Sequence, residues 1–190
     1  MLKFEKQAEE KVLSELYRLF ELLNKQFYGG ELTTPTITIS SSKMYSNAIN
    51  FCQTKKILND DRSDDAFLYK MTINAELFNR STDEAISGFM HEMSHLYNLQ
   101  HGVMDTVAYG IYHNSKFRDV ALTHGLCVER DNRRGWAYTH LSEVAKNFIN
   151  SIHIDEGALR LSFSYTRSDR KNSGKLGNSQ KYQCPECGMV

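Results

Sequence analysis

Residues 81–102 carry the pattern that most constrains this 190-residue chain, because they read as one complete amphipathic helix. Ser81 and Glu84 have the Ser-x-x-Glu spacing of a capping box, which marks a helix N-terminus. Apolar residues then recur at intervals of three and four, and the pattern ends at Gly102, a residue preferred just past a helix C-terminus. We therefore predict a helix from Thr82 to Gln100.

This helix contains His91-Glu92-Met93-Ser94-His95, an H-E-x-x-H motif. Histidines four residues apart lie on one face of a helix, about 40° apart and one turn from each other, so both imidazoles can reach one metal ion. Glu92 can lie beside that ion without binding it. In metalloproteases with this motif, the glutamate is the general base that removes a proton from zinc-bound water. The sequence therefore predicts a zinc hydrolase with His91 and His95 as metal ligands and Glu92 as the catalytic base.

A catalytic zinc site takes three protein ligands and keeps one position open, so a third ligand is needed. Two histidines compete for this role. His101 has the spacing from His95 that metzincins use, with Asn98 where their pattern has a turning glycine. His113 precedes a second predicted helix, Ser115 to Thr123. On a regular helix His101 would lie about 240° around from His95 and face away, which favours His113.

The combination of motifs resembles the SprT-like family of zinc metalloproteases, which includes the bacterial SprT proteins and Spartan-type proteases. The resemblance covers roughly residues 17–126. It rests on three segments: N-K-Q-F-Y-G-G-E-L at residues 24–32, the H-E-M-S-H helix, and His113-Asn114-x-x-Phe117. In that family a third histidine, followed a few residues later by phenylalanine, provides the last zinc ligand. The resemblance therefore implies that His113 completes the zinc site.

The resemblance also implies an activity, namely hydrolysis of peptide bonds in protein substrates, including DNA-associated proteins as in DNA–protein crosslink repair. For this reaction Tyr109 and Tyr112, in the loop before His113, are candidates for support of the oxyanion. Two alternatives stay open. One is a zinc-containing binding or regulatory module with little proteolysis, and the other is a metzincin-type hydrolase that uses His101 as its third ligand.

The order of predicted elements indicates an α+β domain. Residues 3–27 read as a long amphipathic helix, and three short strand patterns follow before the H-E-x-x-H helix: Pro35–Ser40, Ala48–Gln53 and Tyr69–Asn74. We expect a small antiparallel sheet packed against the N-terminal helix and the active-site helix, in a zincin-like arrangement. The Tyr69–Asn74 strand is the candidate edge that holds an extended substrate by β-augmentation. A further strand at 135–139 and a helix at 142–153 are predicted after it.

The end of the chain has a different composition. Between Arg160 and Lys181 it has six basic residues and one acidic residue, and residues 172–179 are rich in Gly, Ser and Asn. Cys184-Pro185-Glu186-Cys187-Gly188 resembles the first knuckle of the zinc ribbon that the family often carries, and two thiolates supply half of a structural zinc site. We predict a metalloprotease domain over residues 1–158 and a basic flexible linker with an incomplete zinc ribbon over residues 159–190.

Charge and composition limit the partners. The formal net charge is zero, which argues against a globally basic nucleic-acid-binding protein. The basic segment alone predicts weak, sequence-independent DNA binding through phosphate contacts. A charged N-terminus, no run of eighteen apolar residues and four cysteines without a disulfide pattern predict a cytoplasmic protein with no membrane partner.

Overall fold

The computed structural model describes residues 2–40, 53–57, 68–108 and 110–159. Over these residues the chain is a mixed α+β protein, as predicted. A short 3-10 helix, Ala75–Asn79, precedes the second α-helix. The elements in chain order are α1 (Leu2–Phe27), β1 (Thr36–Ser40), β2 (Gln53–Ile57), β3 (Leu68–Asn74), α2 (Thr82–Gln100), β4 (Thr106–Val107), β5 (Tyr112–His113), α3 (Ser115–Thr123), β6 (Leu126–Asp131), β7 (Gly135–Leu141) and α4 (Glu143–Ser151).

The first helix, α1, supplies one wall of the hydrophobic core. Its apolar residues recur every three or four positions, so they share one face of the helix. The helix stops because Gly29 and Gly30 adopt positive φ angles of 63° and 79°, which glycine takes at little steric cost. Asn24 then joins α1 to the next segment through two hydrogen bonds with the backbone of Leu32, at 2.9 and 3.1 Å. The core residues on this face are Val12, Leu16, Leu19, Phe20 and Leu23.

The first sheet has the strand order β1-β3-β2 and is mixed. β3 runs antiparallel to β2 but parallel to β1. The prediction of an antiparallel sheet is therefore wrong for one of its two strand pairs. The reason is the long connection between β1 and β3, which includes β2. Such a connection is long enough for the crossover that parallel strands need, so no tight hairpin sets the direction of β1 relative to β3.

The predicted edge strand is also placed differently in the structure. β3 contains Tyr69–Asn74 and is the central strand, so both of its sides are paired. Met71, for example, lies opposite Ile37 in β1 and opposite Thr54 in β2. A period-2 pattern shows that a strand has one buried face, but it does not show which strands lie beside it. The edge strand of this sheet that contacts α2 is β2.

The second sheet has the order β4-β5-β7-β6. β4 and β5 form a hairpin, β5 runs parallel to β7, and β6 pairs with β7 in antiparallel register. The predicted strand at 135–139 corresponds to β7, which continues to Leu141. The sequence did not predict β4 and β5, because strands of two residues are too short to show a periodic pattern.

The central element of the described structure is α2, which contacts strands of both sheets and also α3. Every residue of α2 from Ala85 to Ser94 is buried, including Phe89 and Met90. This position explains why most of the residues around His91, Glu92 and His95 in α2 are apolar. None of the described helices combines the length and the apolar character needed to cross a membrane.

Candidate metal centre

The helix predicted from Thr82 to Gln100 is present with those limits. Its capping box is complete: Ser81 Oγ accepts a hydrogen bond from the Glu84 backbone N–H at 3.3 Å, and Glu84 Oε2 accepts one from the Ser81 backbone N–H at 3.1 Å. Because the helix is regular through this segment, the four-residue spacing places His91 and His95 on one face. The capping box and the histidine spacing are local patterns of the sequence, and the structure contains the helix that they predict.

Three histidine side chains converge at one point in the structure. The Nε2 atom of His91 lies 3.2 Å from that of His95 and 3.1 Å from that of His113. The Nε2 atoms of His95 and His113 are 3.0 Å apart. All three pairs of nitrogen atoms are therefore nearly equidistant, and this group could hold a metal ion.

The size of this triangle fits a small divalent cation. Two nitrogen ligands of a tetrahedral zinc ion, each about 2.0–2.1 Å from the metal, lie about 3.3–3.4 Å from each other. The measured separations of 3.0–3.2 Å are close to that value. Three neutral imidazoles that meet through the same nitrogen cannot all satisfy one another by hydrogen bonds, because each ring carries a single N–H. A cation bound by three lone pairs resolves this conflict.

The third histidine reaches the cluster through the second sheet. His113 is the last residue of β5, where it lies opposite Thr106 of β4. Its backbone N–H donates to the Arg134 carbonyl oxygen at 2.9 Å, and its Cα pairs with Gly135 of β7. His113 is thus held by strands on both sides before its side chain meets α2. This long-range pairing has no counterpart in the local sequence around His113.

Gly135 makes the contact with His113 sterically feasible. At this position a Cβ atom would overlap with the His113 carbonyl oxygen and lie 2.9 Å from the Tyr112 ring. Gly135 also has a φ of 67°, and Gly102 has the same value with open space around its Cβ position. Glycine is therefore needed at residue 135 for two reasons, and at residue 102 for one.

Replacing Gly135 with alanine is expected to destabilise the protein more than the same change at Gly102. The left-handed backbone costs alanine about 1–2 kcal/mol at either site. The overlap with His113 adds about 1–3 kcal/mol at residue 135 only. Thermal unfolding of the two variants measures the difference directly. Equal losses of stability would show that the close approach of β7 to His113 is absent in solution.

Phe117 forms an apolar surface against all three imidazoles. Its ring centroid lies 4.5 Å from those of His91 and His95 and 4.7 Å from that of His113, and the side chain is fully buried. Asn114 caps α3 by accepting hydrogen bonds from the backbone N–H groups of Lys116 and Phe117, at 2.8 and 3.4 Å. The His-Asn-x-x-Phe pattern therefore combines a cluster histidine, a helix cap and a packing residue.

Two side chains that the sequence analysis did not identify contact the histidines from outside the cluster. Asp105 Oδ2 lies 2.7 Å from His95 Nδ1, and Thr139 Oγ1 lies 3.2 Å from His91 Nδ1. Such contacts orient the ring so that the other nitrogen faces the metal. Asp105 could have been noticed, because it is the single acidic residue between His95 and His113. Thr139, on β7, gave no local signal.

The electrostatic environment differs among the three histidines. Burial, with further contributions from the other two histidines, lowers the pKa of His91 well below its usual value. Burial and the nearby His95 lower the pKa of His113 to about 4. Burial also opposes the charged form of His95, but the hydrogen bond to Asp105 and the charges of Glu92 and Asp105 outweigh it and leave that pKa raised. His91 and His113 are therefore neutral at pH 7, with lone pairs available to a metal.

His101 is not a member of the cluster. It follows the last residue of α2, where its Nδ1 donates to the Tyr97 carbonyl oxygen at 2.8 Å and its ring stacks on Tyr97 at 4.2 Å. The metzincin-type arrangement would need the chain to turn at Asn98, but Asn98 stays helical. The regular helix therefore carries His101 away from His95, as its position about 240° around the helix predicts.

Of the remaining candidate residues, the structure describes only Tyr112. Tyr112 is half-buried on β5, and its hydroxyl oxygen lies 3.5 Å from an Arg130 guanidinium nitrogen. Because successive side chains of a strand point to opposite faces, Tyr112 and the cluster residue His113 face different sides of β5. A role for Tyr112 in supporting an oxyanion stays a prediction. Tyr109, Cys184 and Cys187 lie outside the described residues.

Comparisons with protein-family models, with curated proteins and with solved structures gave no match for this chain.

Proposed function

We propose that this protein is a zinc-dependent metalloprotease of the SprT-like type. The observation that carries the proposal is the convergence of His91, His95 and His113 on one point, with the buried Glu92 on the same helix. Three imidazoles are a ligand set that suits zinc and leaves a fourth coordination position for catalysis. A glutamate adjacent to the first ligand adds the general base that hydrolysis needs.

The proposed mechanism assigns a separate task to each residue. Bound zinc would polarise the scissile carbonyl group and acidify a water molecule. The three histidines would hold the ion through their converging Nε2 atoms. Glu92 is close enough to His95 for its charge to raise the pKa of that imidazole. From this position Glu92 takes a proton from the attacking water and passes it to the leaving amine.

An extended substrate is expected to lie along β2. This strand contacts α2, and in the described part of the chain only one of its two sides is paired with another strand. An edge strand can bind an extended peptide through main-chain hydrogen bonds, which suits a protease because every substrate offers the same backbone groups. Cleavage in unfolded or loop segments, rather than in folded helices, is the expected result.

DNA-associated proteins are the substrate class suggested by the resemblance to SprT-like proteases. The basic segment from Arg160 to Lys181 would supply weak contacts to DNA phosphates, and it lies outside the described residues. Binding through such contacts is independent of base sequence and weakens as the salt concentration rises. A cytoplasmic location is part of the same proposal, because Cys184 and Cys187 could bind zinc in the predicted zinc ribbon only as reduced thiolates.

A metal analysis and a cleavage assay on the purified protein test the proposal. We expect one zinc ion per chain and slow cleavage of an unfolded protein substrate, which stops after chelation and returns when Zn²⁺ is added. Parallel assays on a DNA-binding protein, with and without DNA, measure whether DNA stimulates cleavage. A protein that carries zinc but leaves every substrate intact would contradict the protease assignment and favour a zinc-containing binding module.

A further inference from the structure

Asp105 contacts α2, which carries the second histidine of the cluster, and Asn114, the residue directly after the third histidine. Its Oδ2 atom accepts a hydrogen bond from His95 Nδ1 at 2.7 Å and another from Asn98 Nδ2 at 3.1 Å. Its backbone carbonyl oxygen accepts one from the Asn114 N–H at 3.0 Å, directly after His113. One residue therefore links α2 to the start of α3, across the segment that delivers the third histidine.

The environment of this carboxylate is unusual. Asp105 is 8% exposed and Asn98 is 1% exposed. In the described part of the chain, no lysine or arginine forms an ion pair with Asp105. A buried carboxylate without hydrogen-bond donors is costly, and here the donors are one imidazole and one amide, both directed at the same oxygen. The His95 imidazole is therefore one of two donors that offset the cost of burying this carboxylate.

The hydrogen bond determines which nitrogen of His95 faces the cluster. An ionised carboxylate only accepts hydrogen bonds, so Nδ1 must carry the proton. Nε2 then has a free lone pair, and it lies 3.2 Å from His91 Nε2 and 3.0 Å from His113 Nε2. A carboxylate in this position also increases the electron donation of the imidazole to a bound metal. Thr139 offers only a neutral hydroxyl to His91, at 3.2 Å.

We propose that Asp105 is a positioning residue that holds His95 in its metal-binding tautomer and orientation, with Asn98 fixing the carboxylate in turn. This inference rests on the proposed metal centre but not on the reaction catalysed there. It predicts that Asp105 contributes more to metal affinity than Thr139, because Asp105 adds a charge as well as a hydrogen bond.

Zinc affinity of the full chain tests the inference. The affinity is measured by competition with a chromophoric chelator, with Zn²⁺ as the only added ligand. Asp105→Asn keeps the size of the side chain but removes its charge, and we expect about 10-fold weaker zinc binding. Asp105→Ala also removes the hydrogen bond, and we expect about 100-fold weaker binding. Asp119→Asn is the matched control, because Asp119 is exposed on α3 and pairs with Arg118; its zinc affinity should equal that of the wild type.

A second measurement separates positioning from a loss of folding. Nitrogen-15 NMR of the His95 ring in the metal-free protein, at an alkaline pH at which the ring is neutral, should show a proton on Nδ1 in the wild type and a mixture of tautomers in Asp105→Ala. Thermal unfolding of the metal-free variants shows whether each one folds. Wild-type zinc affinity in both Asp105 variants, or an unchanged His95 tautomer in Asp105→Ala, would overturn the inference. A wild type that binds zinc but hydrolyses nothing overturns the proposed function alone, and one that binds no zinc overturns both.

Discussion

Replacing Glu92 with glutamine is expected to reduce peptide hydrolysis by about 10²–10⁴-fold, the range that a positioned general base contributes. Glutamine has nearly the same shape but cannot accept the proton from the attacking water. Because Glu92 is not among the three residues that converge through nitrogen, the variant should still bind one zinc ion per chain. The measurements are the initial rate of cleavage of an unfolded protein and the zinc content of the same preparation.

The control for this variant is Glu129→Gln. Glu129 is exposed on β6, so the same chemical change there should leave both cleavage and zinc content unaltered. A Glu92→Gln protein that cleaves at the wild-type rate would contradict the role of Glu92 as the base in the proposed mechanism. Loss of zinc together with activity would instead point to a structural effect of the substitution on α2.

Replacing His113 with alanine is expected to abolish stoichiometric zinc binding. Structural zinc sites with four ligands have apparent binding free energies of about 10–16 kcal/mol, which is roughly 2.5–4 kcal/mol for each ligand. Removal of one ligand should therefore weaken binding by about 10²-fold or more. Zinc content after dialysis against a competing chelator measures this effect.

His101→Ala provides the comparison, because both histidines were candidates for the same role. The His101 ring stacks on Tyr97 and donates to its carbonyl oxygen at the end of α2, away from the cluster. The variant should keep its zinc and its activity, with a small loss of stability from the missing contact. The reverse result, in which His101→Ala loses zinc and His113→Ala keeps it, would establish a metzincin-type site.

Local signals predicted the helices well. The capping box at Ser81, the apolar repeat and Gly102 located α2, and an apolar repeat alone located α3. These features depend on contacts within about one helical turn, so the residues that determine them are close in sequence. The arrangement of His91, Glu92 and His95 follows from them without knowledge of the remaining chain.

The strands were predicted less completely. β7 was recognised, but β4 and β5 have two residues each, and the pairing of β5 with Gly135 of β7 depends on a residue more than twenty positions away. The alternating pattern of Tyr69–Asn74 indicated a strand but could not indicate that it lies between two others. Strand neighbours and directions follow from how whole elements pack, which a periodic pattern does not encode.

The amino-acid sequence by itself therefore determined the metal-binding helix, two of the three histidines and the neighbouring base, because helical spacing alone brings them together. Helix geometry also favoured His113 over His101 as the third ligand, but only the tertiary structure shows how His113 reaches the cluster, since β5 must pair with β7 before its last side chain can reach α2. The contacts of Asp105 and Thr139 with the histidines also depend on the tertiary structure. They connect residues on different elements, and the packing of those elements creates them.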